Sequence, residues 1–390
     1  MAHRSGRHFL QIPGPSPVPD RILRAMDMPV IDHRGPEFGA LGARVLERLK
    51  AIFKTEQPVV VFPSSGTGAW EAALVNVLSP GDKVLMYETG QFASLWSELA
   101  SRMGLQPELL PGTWRHGVIA SEIEARLRAD TERNIKAVCC VHNETSTGVT
   151  SKILPVREAI DAAGHPALLI VDTISGLAST DYRHDEWGVD VTISGSQKGL
   201  MLPPGLGFNC LSRKALEAHE HSEFRKSYWD WSAMLGNNAS GYFPYTPATN
   251  LLYGLEEALK ILLDDEGLDA VFARHHRHAR ATRAAVQHWG LQTLCSVEDE
   301  HSPVLTAVLL PDGHDADKVR NIILDKFDMS LGTGLGKVKG KIFRIGHLGD
   351  INDLTLIGTL GGVEMGLELA GIPFQAGGCQ AAMAVLRDSA

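Results

Sequence analysis

A lysine set between small polar residues and an apolar, proline-ended run is the first place in this chain where side-chain types suggest chemistry. The stretch is Ser194-Gly195-Ser196-Gln197-Lys198-Gly199-Leu200-Met201-Leu202-Pro203-Pro204-Gly205, just after the β-type run 189–193. Most lysines are solvated surface charges. An ammonium placed against apolar surface differs, because desolvation disfavours its charged form and frees an amine that can attack a carbonyl. An aldehyde cofactor held as a Schiff base is the partner that such a lysine suits.

Pyridoxal 5′-phosphate (PLP) is such an aldehyde. It also needs a carboxylate to keep its pyridine nitrogen protonated and a cradle for its phosphate. Asp172, directly after the apolar run 167–171, suits the first need, although a lone strand-end aspartate is more often a cap or turn residue. For the second, Val59-Val60-Val61-Phe62 runs into Pro63-Ser64-Ser65-Gly66-Thr67-Gly68 and then a helical pattern over 69–78. Strand, Gly/Ser/Thr turn and helix together present free backbone N–H groups and a helix dipole to an anion. The spacing fits neither a Walker A loop nor a dinucleotide GxGxxG turn. An arginine is also wanted, to grip a substrate carboxylate with two parallel hydrogen bonds. Arg344, inside the apolar run Phe343-Arg344-Ile345-Gly346, is the unexpected charge that fits.

Other titratable clusters point elsewhere. His275, His276 and His278 sit in an arginine-dense helical pattern with no carboxylate cluster, and contiguous spacing cannot bring all three to one face. They are expected to form a solvated basic face, and no metal site is expected. A Ser-His-Asp hydrolase would need a GxSxG elbow, which is absent.

The elements that must position these residues alternate. Buried strands are expected at 59–62, 83–87, 136–142, 167–171, 189–193 and 207–211, with helices at 20–26 (capped by Asp20), 38–53, 69–78, 91–103 and 155–163. An irregular aromatic stretch follows at 218–247, then a helix at 251–263. Beyond Asp264-Asp265-Glu266-Gly267 the pattern becomes helix 268–289, strand 304–310, helix 316–327, a Gly-rich loop 332–340, strand 342–346 and helix 355–369. The reading is an α/β fold: an extended arm at 1–20, a large domain at 21–265 with a mostly parallel sheet covered by helices, and a smaller C-terminal α+β domain at 266–390. The polar residues of interest fall just past strand ends, where such sheets bind ligands.

With 390 residues, two domains are expected. A net charge of −9 with both signs interspersed leaves no basic stripe, so no nucleic-acid partner is expected. The five cysteines form no CxxC pair, and Cys139 and Cys140 read as small core residues in a reducing compartment. Residues 1–7 are polar, and no apolar run approaches a membrane span, so no membrane partner and a cytoplasmic location are expected.

Taken in order, Pro13-Gly14-Pro15, Ser65-Gly66-Thr67-Gly68, His142-Asn143-Glu144-Thr145-Ser146-Thr147-Gly148-Val149, Val171-Asp172, Gly195-Ser196-Gln197-Lys198 and Phe343-Arg344-Ile345-Gly346 resemble the class V aminotransferases of PLP fold type I. The nearest resemblance is to the serine/alanine–glyoxylate group, and it spans nearly the whole chain. The resemblance implies Lys198 as Schiff-base lysine and acid/base, and Asp172 as partner of the pyridine nitrogen. It implies Ser65, Gly66, Thr67 and Gln197 at the phosphate, Phe92 stacked on the ring and Thr145 beside its 3-hydroxyl. Arg344 would bind the substrate carboxylate, with Gly14, His33 and Arg34 on the substrate side. It further implies a homodimer with the active site at the interface, Tyr245 and Thr246 reaching the partner's phosphate. Some relatives carry tryptophan where Phe92 stands and tyrosine where Phe243 stands. The implied activity is amino transfer from an amino acid, serine first, to glyoxylate. Aspartate or alanine as donor, a cysteine desulfurase, and a PLP-free binding protein on the same fold are the alternatives. Arg34 or Arg225 could receive the second carboxylate of aspartate.

Overall fold

The computed structural model describes residues 5–389; the first four residues of the expected arm and polar N-terminus lie outside the described residues. A seven-stranded sheet has the order Val59–Ser64, Gly205–Leu211, Val191–Gly195, Leu168–Asp172, Ile135–Val141, Lys83–Tyr87, Gln106–Leu110. Gly205–Leu211 is antiparallel to both of its neighbours, and the other pairings are parallel. The expected mostly parallel sheet is therefore present, with one reversed strand.

Helices cover both faces, and the strand sequences show why. Val59, Val61, Cys140, Leu169 and Val171 enter one core, while Val60, Phe62, Cys139, Leu168 and Ile170 enter the other. Successive side chains alternate faces, so a strand buried on both sides reads as an unbroken apolar run. All five cysteines are free, and Cys139 and Cys140 are core residues as expected. The helix Pro36–Phe53 buries Phe38, Leu41, Val45, Leu49 and Ile52, a stripe at three- and four-residue spacing. Truncating a core ring such as Phe208 to alanine costs about 3–5 kcal/mol.

A second sheet has the order Phe9–Gln11, Met329–Thr333, Ile342–Gly346, Leu305–Leu309, Gln292–Thr293. Its first strand comes from the arm, which was expected to be only extended; it pairs in parallel with Met329–Leu331. The helices Leu268–His288, Ala316–Phe327 and Asp353–Ala370 pack on this sheet around a core containing Val286, Val319, Ile323, Phe343 and Leu360.

Several elements differ from expectation. The edge strand Gln106–Leu110 and the helix Ala120–Ala129 escape a search for apolar runs, because polar residues and Pro107 suit an edge. The aromatic stretch contains the helix Trp231–Asn238, started by the Asp230 carboxylate accepting from the Ser232 N–H. Asp20 is the first residue of its helix and pairs with Arg7 instead of capping. Gly332 and Thr333 belong to a strand, and a further helix, Gly378–Asp388, packs against Leu268–His288. The solvated histidine face is corrected as well. His276 is exposed, but His275 and His278 are buried, His275 bonding Val271 O and accepting from the Gly349 N–H. Among the described residues no group of three or more His, Cys, Asp or Glu could hold a metal, and no helix is long and apolar enough to cross a membrane.

Candidate active site

The ends of the parallel strands converge on a recess of about 130 Å³. Ser65, Gly66 and Thr67 line it from the first strand–helix turn, and Asp172 from the end of Leu168–Asp172. Gln197 and Lys198 enter from beyond Val191–Gly195, Thr145 from beyond Ile135–Val141, and Phe92 from the first turn of the helix Gln91–Arg102. Larger hollows occur elsewhere; chemistry is located here by charge, not by volume.

Lys198 is 8% exposed, and its Nζ donates to the Pro13 carbonyl at 2.7 Å. Burial, with the Arg344 charge added, pulls its pKa down to about 8, while Asp172 opposes the shift. About a tenth of the amine is then free at pH 7, far more than for an ordinary lysine, and free amine is what attack on an aldehyde requires. The arm holds the lysine in place. Gly14 has φ +93°, and a Cβ there would lie 2.2 Å from Lys198 Cδ and 2.4 Å from Nζ. Only glycine fits.

Asp172 is 4% exposed, with both oxygens engaged: the Trp70 indole N–H donates to Oδ2 at 2.9 Å and the Ile174 N–H to Oδ1 at 2.7 Å. Burial still raises its pKa to about 7, against the two donors. Such a carboxylate is short of a cation. A protonated ring nitrogen would supply one.

The helix Gly66–Val77 starts at Ser65, whose side chain accepts from the Gly68 N–H, and its first turn carries no acidic residue. A Cβ on Gly66 would meet Ile174 Cδ1 at 2.4 Å, so any larger residue there would have to displace the Ile174 side chain that lines the recess. Positive dipole end, free N–H groups and hydroxyls make an anion cradle there. Nearby, Gln197 Oε1 is buried without a protein partner.

Arg344 is 7% exposed, and burial lowers its pKa to about 10. Its Nε donates to Thr333 O at 2.8 Å and its Nη1 to Thr145 O at 2.7 Å, fixing the guanidinium plane. Among the described residues Nη2 has no partner, so one prong remains for a carboxylate.

A sequence profile of the family "Aminotransferase class-V" matches residues 9–336. The chain belongs to the class V aminotransferases. The serine–glyoxylate aminotransferase of Methylorubrum extorquens is 48% identical over 99% of this chain and 98% of its own length. The L-aspartate–glyoxylate aminotransferase of Paracoccus denitrificans is 46% identical over 94% of this chain and 92% of its own. The crystal structure of ureidoglycine–glyoxylate aminotransferase from Bacillus subtilis superposes with a TM-score of 0.91 at 28% identity, covering 99% of this chain and 100% of that one. This class V aminotransferase therefore has the PLP fold type I and uses PLP. The residues present fit that cofactor: a buried low-pKa lysine, a strand-end carboxylate lacking a cation and a helix-start anion cradle.

Two residues of this aminotransferase's site escape sequence reasoning. Trp70 sets the Asp172 carboxylate and stacks on Trp96 at 5.7 Å and 15°; nothing in a helical Ala-Trp-Glu announces a bond across the sheet. Glu144, fully buried, accepts from the Phe92, Ala93 and Ser146 N–H groups and the Ser146 hydroxyl. It thereby anchors the start of the helix that carries Phe92. Burial raises the Glu144 pKa, with these donors opposing, and its charge favours the Arg344 cation. Its position in the quoted His142–Val149 motif was the one available signal.

Four expected residues are not brought to the recess by this chain alone. His33 is half-buried with Nε2 lacking a partner, and Arg34 and Thr246 are exposed. Tyr245 stacks on Tyr228 at 4.3 Å and donates its hydroxyl to Tyr228 O. Phe243 is partly buried and packs edge-on against the core ring Phe38 at 6.0 Å.

Proposed function

We propose that this enzyme transfers the amino group of L-serine to glyoxylate, giving hydroxypyruvate and glycine by a ping-pong mechanism. The observation that carries the reading is the 48% identity to a serine–glyoxylate enzyme across 99% of the chain. When bound, PLP supplies an aldehyde that captures the substrate's amino group and a ring that withdraws electrons from its α-carbon. Lys198 Nζ accepts the substrate α-proton and returns it on the other side of the exchange. Asp172 holds a proton on the ring nitrogen, and Trp70 and Ile174 hold Asp172 in position. Arg344 orients the substrate carboxylate through Nη2, and Phe92 fixes the ring from one face. Ser65, Gly66, Thr67 and Gln197 would hold the phosphate, and Thr145 would face the ring's 3-hydroxyl side.

The reading includes a homodimer in which Tyr245 and Thr246 reach the partner's phosphate, with His33 and Arg34 on the substrate side. Their exposure or half-burial outside the recess supports this. It also includes a cytoplasmic location and the division 1–20, 21–265 and 266–390, with Phe9–Gln11 assigned to the small domain's sheet. Aspartate is the second donor, favoured by the 46% identical aspartate–glyoxylate enzyme and by Arg34 and Arg225, which are exposed and form no side-chain ion pair among the described residues.

The test is the isolated first half-reaction: PLP-loaded protein with serine, aspartate or alanine singly, no keto acid, and the product quantified by mass spectrometry. Hydroxypyruvate formed fastest supports the reading. Faster oxaloacetate moves the donor to aspartate, and no keto acid from any donor refutes the transamination itself.

A further inference from the structure

Leu268–His288 carries arginines at every third position from 274 to 283, and the helix divides them into two kinds. Arg274 is paired through two nitrogens with Glu266, and Arg277 likewise with Asp353. Arg280 and Arg283, one turn further on, make no hydrogen bond or ion pair among the described residues. Arg283 is half-buried; burial lowers its pKa, Glu298 opposes this and Arg280 adds to it. Both line a hollow of about 550 Å³ that shares no lining residue with the Lys198 recess. Arg115 reaches the same hollow from the large-sheet side, held by its Nε donating to Leu294 O at 3.1 Å.

Three guanidinium groups directed into one space repel one another, and like charges one helical turn apart destabilise the helix that bears them. Partial burial of one raises that cost. A counter-anion removes it, and guanidinium is the group whose planar fork matches carboxylate and phosphate. The hollow has the volume of a small-molecule site. Leu291 and Val286 add apolar surface to its lining. Glu298 also lines the hollow and offsets part of the arginine charge, leaving three guanidinium groups against one carboxylate, an excess that an anion can satisfy.

We propose that this hollow binds a small organic anion carrying two or more carboxylate or phosphate groups, separately from the PLP site. The test is isothermal titration of PLP-loaded protein, in low-chloride buffer, with citrate and separately with pyrophosphate. PLP occupies the Ser65 cradle throughout, and the two probes distinguish carboxylate from phosphate chemistry. Wild-type protein should bind at least one probe, and R283Q should bind it about tenfold or more weakly, the loss of one charge-assisted contact. K318Q removes the same charge at an exposed position outside the hollow and should bind as wild type does. If R283Q does not fold, R280Q, at an exposed position, carries the same test. No binding of either probe to wild type overturns the proposal. So does equal affinity in the arginine variant and wild type, or equal weakening in the arginine variant and K318Q.

Discussion

Replacing Trp70 with phenylalanine isolates one hydrogen bond at the heart of the site. The ring remains to stack toward Trp96, but the N–H that donates to Asp172 Oδ2 at 2.9 Å is gone. A hydrogen bond to a charged group contributes about 1.5–3 kcal/mol. Since one pKa unit is about 1.4 kcal/mol, Asp172 should move up by roughly one to two units. Its starting value is already about 7, raised by burial. The sign follows from which form binds. Ionised Asp172 holds the protonated ring nitrogen, so PLP affinity is full above the Asp172 pKa and falls as pH drops through it. In W70F that fall begins at higher pH. At pH 7 the variant should hold PLP about tenfold more weakly, and the two proteins should converge well above both pKa values. Equilibrium dialysis of cofactor-stripped protein with PLP, from pH 5.5 to 9, reads this directly. Lys198 titrates in the same window in both proteins, so their difference reports Asp172. A uniform loss at every pH would show that Trp70 acts by packing alone, and would refute the electrostatic argument.

Lys198→Ala should slow keto acid formation from serine by about 10²–10⁴-fold, the usual contribution of a positioned acid/base, measured in single turnover. Gly14→Ala puts a methyl within 2.2–2.6 Å of Lys198 Cδ, Nζ and Cε at a φ of +93°; PLP bound per chain, read from absorbance after gel filtration, should fall well below one. Arg344→Lys keeps a charge but loses the fork held by Thr333 O and Thr145 O, so KM for the amino donor should rise tenfold or more, with kcat less affected. Arg344→Gln also removes a cation that lowers the Lys198 pKa, so the pH at which PLP binds fastest to stripped protein should move upward.

How much of this could be read in the sequence depended on whether a residue's role was local. Lys83–Tyr87, Ala316–Phe327 and Ile342–Gly346 match the expected bounds, because periodicity and turn residues define them within the segment. Lys198, Asp172 and Arg344 drew attention in the sequence because each is a charge beside an apolar run, and Ser65 because it opens a Gly/Ser/Thr turn between strand and helix; the fold brings Ser65, Asp172 and Lys198 to one recess. Trp70 and Glu144 drew none, since an indole in a helix and a glutamate in a turn are locally ordinary. Trp70's partner Asp172 is 102 positions away in the chain, and Glu144 reaches the Phe92 and Ala93 N–H groups more than 50 positions away as well as the local Ser146. His275 and His278 were misjudged for the same reason. Arginines beside them suggested solvent, but the opposite face of that helix packs onto Gly349 and Asp353, contacts that no local pattern encodes.

The buried charges at and around the recess come from both sheets. Lys198, Arg344, Asp172 and Glu144 are two cations and two carboxylates, each under a tenth exposed, and burial opposes the charged form of all four. Glu144 is the best satisfied, by backbone and hydroxyl donors, and favours the Arg344 cation. Asp172 retains a raised pKa despite two donors, and Arg344 keeps Nη2 without a protein partner. Those two lack the counter-charges that a ring nitrogen and a substrate carboxylate carry. Asp172 comes from the large sheet and Arg344 from the small one, so a ligand that pairs both must span the seam. Binding there offsets a desolvation cost that the protein's own fold imposes, and the same charges that destabilise it select what can enter.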